Sequence, residues 1–220
     1  MEEEKTEGLL LHSISYLGDQ KILKVFTPDA GLISLIAKKK SFAPMTSPFL
    51  VGEWVYRKGK EEIHLLKDAT LLNSLSDLRE DYAFLEAAGS IAKILLRSQL
   101  PAKKGSGLYA LCLAYLNKLP SFQQPEVLVA SFQMKLLLHE GLLALQKECP
   151  HCDQPTSHLF GGESLCSKHT GFPSIAFNST EWETLHTLTY ARQFALLGTA
   201  SWTGSLKKKI EAVFEERILH

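Results

Sequence analysis

The chain has 220 residues, 45% of them hydrophobic, with 24 lysines and arginines balanced by 24 aspartates and glutamates. This length can bury one large core or two small ones. Zero net charge excludes a global field for polyanions but leaves room for a local patch acting within ~8 Å. The start, MEEEKTEGLL, is acidic and lacks a basic segment leading into an apolar run, so no secretory signal is expected. No stretch approaches the ~18 uninterrupted apolar residues of a membrane span. Four cysteines without an export signal point to reduced thiols in a cytoplasmic protein, and Cys112, within LYALCLAYL, is expected in the core.

From Leu9 to about Leu75 the apolar residues come in short alternating runs. LLLHSISY is followed by KILKVFT, where Ile22, Lys24 and Phe26 share one face and Leu23, Val25 and Thr27 the other. Pro28 to Gly31 has turn chemistry, LISLIA is the next strand, and KKKSFAPMTSP is a loop. FLVGEWVYR closes through Lys58, Gly59 and Lys60 into EEIHLLK, and ATLLNSL ends the series. Short β segments with glycine-bearing turns predict a closed five-stranded barrel over residues 1–76, which also removes exposed sheet edges.

After Ser76 the period becomes helical, giving a predicted helical domain over 77–220. Leu78, Tyr82, Leu85, Gly89, Ala92 and Leu96 recur at intervals of three and four and predict a core-facing stripe. LPAKKGSG breaks the pattern before a second helix, LYALCLAYLNKL. Pro125 sits at the expected first turn of a third, through EVLVASFQMKLLLHEGLLAL. NSTEWETLHTLTYARQFALLG offers a capping box between Thr180 and Glu183 and a stop at Gly198, and SLKKKIEAVFEERI is the last helix.

Between the third and fourth helices lies CPHCDQPTSHLFGGESLCSKH. Cys149 and Cys152 have the spacing that lets two thiolates of one turn reach one ion, and Cys166 and His169 repeat it. Gly161 and Gly162 can turn the second pair onto the first. A Cys3His set is a usual closed structural zinc site, so one structural Zn2+ per chain is expected, in an insertion spanning 147–172. The fourth ligand has rivals in His151 and His158, the former disfavoured because it lies inside the first pair. A redox pair fits less well, since such motifs begin a helix and here a helix precedes. Three thiolates also make a poor Lewis-acid site, so a zinc hydrolase is disfavoured.

The order of barrel, helices and zinc insertion resembles the bacterial RecO family. The matching stretches are LGDQKILKVFTPDAGLISLIAKKK, SPFLVGEWVYRKGK, LREDYAFLEAA, and CPHC with GGESLCSKH. In this chain the basic loop AKKKSF is short, and His169 stands where the family has a cysteine. The resemblance implies an α+β protein with an N-terminal OB-fold and a helical domain. It also implies a non-enzymatic mediator of DNA repair and recombination. Such a protein binds single- and double-stranded DNA, anneals strands, and loads recombinase onto coated single strands. RecR and the acidic C-terminal tail of single-strand DNA-binding protein are the implied partners, and the bacterial nucleoid the implied location.

From Gln20 to Lys60 the chain carries eight basic residues against Asp29 and Glu53. Lys21, Lys24, Lys38, Lys39, Lys40, Arg57, Lys58 and Lys60 are the candidate DNA contacts, through phosphate neutralisation and counterion release. Phe26, Phe42, Trp54 and Tyr56 lie among them and are expected to fill the barrel rather than stack bases. Lys207, Lys208 and Lys209 open a helix against its dipole, a misfit that an external anion would offset. Arg79, Arg97 and Arg192 are further candidates for holding an acidic tail. The competing reading is a zinc-stapled protein-interaction scaffold whose lysines are incidental.

Overall fold

Period-two alternation produces strands β1 (Glu3–Tyr16), β2 (Gln20–Thr27), β3 (Gly31–Lys38), β4 (Val51–Arg57) and β5 (Ile63–Asn73). They close in the order β1-β2-β3-β5-β4, with β3 and β5 parallel and the other pairs antiparallel. That is the topology of an OB-fold barrel. The computed structural model describes residues 3–38, 41–59 and 62–218. The chain divides into two compact units, 1–120 and 121–220.

Leu10, Leu23, Val25, Ile33, Leu35, Trp54, Tyr56 and Leu66 pack inside the barrel. Trp54 is fully buried and its indole N–H donates to the Gly8 carbonyl at 2.9 Å. Residue 8 must itself be small, because a Cβ there would meet the Val25 side chain of β2 at 2.5 Å. β1 serves two neighbours in succession, β4 along Glu3 to Leu9 and β2 along Leu9 to Tyr16, with a bulge between Leu10 and His12. The bulge turns the strand around the barrel.

Two differences from the sequence expectation follow from pairing. β1 begins at Glu3 because its acidic residues align with β4, although nothing apolar marks them. EEIHLLK and ATLLNSL are one strand, since β5 runs along β4 from Leu65 to Asn73 with irregularities at Val51/Gly52 and Val55/Tyr56.

Helices α1 (Tyr82–Ser98) and α2 (Ser106–Lys118) belong to the first unit. The sequence boundary at 76/77 therefore marks the change from strand to helix, whereas compactness divides the chain after Pro120. The segment LPAKKGSG joins the β2–β3 turn, with Ala102 N–H donating to Ala30 and Gly105 N–H to Pro28. On α2, Tyr109 packs on Phe26 at 5.9 Å and donates its hydroxyl to Glu7 at 2.9 Å. The expected α1 stripe is displaced. Tyr82 is 77% exposed and Leu85 half as much, while Ala87, Ala88, Ile91, Ala92, Ile94 and Leu95 are buried. Leu78, which set the phase, lies in a separate 3-10 turn, and the helix starts only after its cap at Asp81.

The second unit contains α3 (Pro125–His139), α4 (Ser179–Tyr190), α5 (Phe194–Leu197) and α6 (Gly204–Ile218). Between α3 and α4 lie three short strands, β6 (His158–Phe160), β7 (Glu163–Leu165) and β8 (Ile175–Ala176). α3 stops before Gly141, whose φ of 70° ends the helix short of the predicted GLLAL turn. α4 is capped by a box between Asn178 and Glu181 rather than Thr180 and Glu183. The predicted fourth helix breaks at Ala191, where Lys135 of α3 donates to the carbonyls of Thr189 and Ala191 at 3.1 and 2.7 Å. A lysine from a neighbouring helix thus satisfies carbonyls that the helix end leaves open.

Candidate metal centre and basic barrel face

Cys149 and Cys166 each open a tight turn of the same design. Cys152 and Asp153 donate their N–H groups to the Cys149 carbonyl at 3.3 and 3.0 Å; His169 and Thr170 both donate to Cys166 at 3.1 Å. Asp153 closes the first turn at a φ of 57°. The hairpin of β6 and β7 brings the turns together through Gly161 and Gly162, at φ 56° and 82°. A side chain at residue 162 would collide with the Leu142 carbonyl, so glycine is required twice over.

The donor atoms of Cys149, Cys152, Cys166 and His169 all lie within 4.8 Å of one another. Cys152 Sγ is 3.6 Å from Cys166 Sγ, and His169 Nδ1 is 3.6 Å from Cys149 Sγ and 3.4 Å from Cys166 Sγ. A tetrahedral zinc with ligand distances of ~2.3 Å to sulfur and ~2.05 Å to nitrogen needs edges of roughly 3.5–3.8 Å, close to these three separations. The cysteines are free thiols. His151 lies beside His169, ring to ring at 5.3 Å, and His158 bonds Ser157; neither joins the cluster.

Burial pushes the Cys149 thiol up, yet N–H donors of Cys166 and His151 outweigh it and leave the thiol below its ordinary value. Burial at Cys166 is likewise outweighed, by the N–H groups of Lys168 and His169. At Cys152 the Gln154 N–H lowers the thiol, but burial and the two neighbouring sulfurs prevail and raise it. Thiols this close cannot all ionise without a cation among them. With three sulfurs and one imidazole the set is closed, and it includes no carboxylate that would serve as a general base. Cys112 stands apart, fully buried in α2, its thiol pushed up by burial.

The barrel register aligns the outward residues of four strands. Tyr16 pairs with Gln20 and Gln20 with Lys38; the next row is Ile14, Ile22, Ile36 and Leu65; the next is His12, Lys24, Ser34 and Ile63. Ile14, Tyr16, Ile63 and Leu65 are each 36–43% exposed, so described residues leave this face uncovered. Across these four strands the rows contain no carboxylate; the Leu65 row continues through Arg57 to Glu3. Lys24 bonds Ser34 at 2.8 Å, and Lys38 is exposed at the strand end. Lys67 is exposed as well, at the β5 irregularity between Leu66 and Asp68, which pair with Tyr56 and Val55. Sequence reasoning missed it, although alternation in IHLLK pointed to it.

The other candidates differ. Lys21 has the inward parity of Leu23 and reaches Thr46 at 3.2 Å, so it is not on this face. Arg57 pairs with Leu65 at the edge of the row, and Lys58 is bonded to Glu4 at 2.5 Å. Lys39, Lys40 and Lys60 lie outside the described residues. Phe26, Trp54 and Tyr56 are buried, and Phe42 packs against the core. In α6 the basic triplet divides: Lys207 and Lys208 are exposed, while Lys209 is held by buried Glu181 at 2.5 Å. Lys209 was expected to be free for an anion. The carboxylate holding it is the Glu181 of the α4 capping box, which also accepts from Ser205 at 2.8 Å. Arg79 donates to the carbonyls of Ser74 and Pro48, and Arg192 is exposed.

The topology defines an OB-fold barrel followed by a helical unit whose Cys3His cluster could hold a metal ion. Residues 1–75 match the family described as recombination protein O N terminal. The chain is 28% identical over 217 residues to the DNA repair protein RecO of Chlamydia pneumoniae, covering 94% of this chain and 86% of that one. Identity to the DNA repair protein RecO of Chlamydia trachomatis serovar D is 28% over 203 residues, covering 88% and 83%. The protein of that name from Listeria monocytogenes serotype 4b is 24% identical over 161 residues, covering 71% and 63%. The chain is thus similar, over most of its length, to proteins named DNA repair protein RecO. No described helix is long and apolar enough to cross a membrane.

Proposed function

We propose that this chain is a non-enzymatic DNA repair mediator whose barrel holds single- and double-stranded DNA by its phosphates. The observation that carries the reading is the set of outward rows on β1, β2, β3 and β5, which contain Lys24 and Lys38 around an aliphatic row and no carboxylate, with Lys67 exposed further along β5. Cations without carboxylate neighbours are available to phosphate, and releasing counterions makes their affinity sequence-independent and salt-sensitive. Tyr16 is the one aromatic in these rows, so binding leans on charge rather than on a platform of stacked bases. Lys39 and Lys40 follow Lys38 in the sequence and are proposed contacts too, and Arg57 adds a cation at the edge.

Shielding of phosphate charge lets two complementary strands approach, which is the physical basis proposed for annealing. RecR and the acidic tail of single-strand DNA-binding protein are the proposed partners. Lys207 and Lys208 are the α6 cations open to such a tail. Zinc held by Cys149, Cys152, Cys166 and His169 would staple the insertion between α3 and α4, without a chemical step. The test is binding of a fluorescent oligonucleotide over a salt series, with annealing of coated complementary strands beside it. Salt-sensitive binding and annealing are expected. Binding that is absent at low salt, or indifferent to salt, refutes the reading. A partner captured without nucleic acid by a protein that does not anneal supports the scaffold reading instead.

A further inference from the structure

At the start of β1, two donors of β4 and the chain just beyond it converge on a carboxylate belonging to the protein itself. Glu4 lies directly opposite Tyr56 in the register, and Glu3 opposite Arg57. Tyr56 Oη donates to Glu4 Oε2 at 3.0 Å, and Lys58 Nζ reaches Glu4 Oε1 at 2.5 Å. One oxygen takes a hydroxyl and the other an ammonium, the same pair of contacts that two free oxygens of a phosphodiester would accept. The tyrosine is fixed, being buried in the barrel and stacked on His64 at 5.2 Å and 10°. Its hydroxyl, pushed up to about 12 by burial and by Glu4, remains a donor.

The carboxylate is the movable part. The Glu4 backbone is held in the β1–β4 ladder, but its side chain is 39% exposed and that of Lys58 63%. An ion pair this open contributes little, so displacing it shifts affinity a few-fold rather than all or none.

We infer that Tyr56 and Lys58 form a gated phosphodiester site, which the chain fills with its own Glu4 until DNA displaces that carboxylate. The inference rests on the DNA-binding reading and deepens it: Lys38 and Lys67 are exposed and Lys24 meets only a serine hydroxyl, whereas Lys58 is released from a carboxylate only by exchange.

The test is a cycle of Glu4→Gln and Lys58→Ala in the full chain, with Glu3→Gln as a control of equal charge. A single-stranded thymidine oligonucleotide is titrated at several salt concentrations. Glutamine keeps an acceptor for Tyr56 and drops the charge. Glu4→Gln should tighten binding about two- to five-fold at low salt and steepen the salt slope by about 0.7, one further phosphate contact. Lys58→Ala should change the native chain little and abolish that gain in the Glu4→Gln background. Equal effects of Glu3→Gln and Glu4→Gln would overturn the site, as would equal losses from Lys58→Ala in both backgrounds. Salt-dependent binding by the native chain with a flat cycle refutes the gate alone. No binding by any variant refutes the gate and the DNA-binding reading together.

Discussion

Changing Lys24, Lys38 and Lys67 together to alanine removes two cations that the register places on the outward rows and an exposed third from β5. Each phosphate contact contributes a slope of about 0.7 to the fall of single-strand affinity with salt. Three contacts therefore contribute about 2. Between about 50 and 200 mM salt, a fourfold rise, one contact accounts for about 2.6-fold and three for about 20-fold. The native chain should thus lose about 20-fold more affinity than the variant over that interval. The assay is fluorescence anisotropy of a labelled oligonucleotide, repeated with two unrelated sequences that should respond alike. Lys93→Ala, an exposed lysine of α1, should leave the slope unchanged. A triple variant with the native slope refutes the assignment of phosphate binding to this face, whatever its absolute affinity.

Elemental analysis should find about one zinc per chain, and Cys149→Ser with Cys166→Ser should abolish it and lower the melting temperature while sparing the salt slope. Full metal content in that double variant would place the metal elsewhere. Glu181→Gln should cost about 2 kcal/mol in a denaturant titration, less than the ~3–5 of a wholly buried pair because Lys209 is 29% exposed. Burial raises the Glu181 carboxyl, but Lys209, the Asn178 N–H and Ser205 together hold it below its ordinary value. Its contribution is therefore full above about pH 4.5 and lost as pH falls through the lowered native value, so native stability should drop more steeply below about pH 4.5 than that of Glu181→Gln. Parallel acid arms would contradict this. Gly162→Ala should destabilise by at least about 2 kcal/mol more than Gly161→Ala, since both have positive φ but only residue 162 lacks room for a Cβ. Equal costs would show that the Leu142 carbonyl yields.

Local pattern determined the strands β2, β3 and β4, because an alternating strand half-buried in a barrel has only one face that can turn inward. It also determined the Cys3His set, since x2 spacing and a Gly-Gly turn leave few ways to arrange four donors. What local pattern could not carry were choices made between distant segments. The phase of α1 depended on a cap at Asp81, and the stop of α4 on a lysine from α3. Lys24 and Lys38 come from separate strands, and they stand beside the Ile63 and Leu65 row of β5 only because closure of the barrel sets the register. Lys21, Lys58 and Lys209 looked equally cationic in sequence, yet each is engaged by a group from another part of the chain. Charge type is a property of the residue; its availability depends on what folding places beside it.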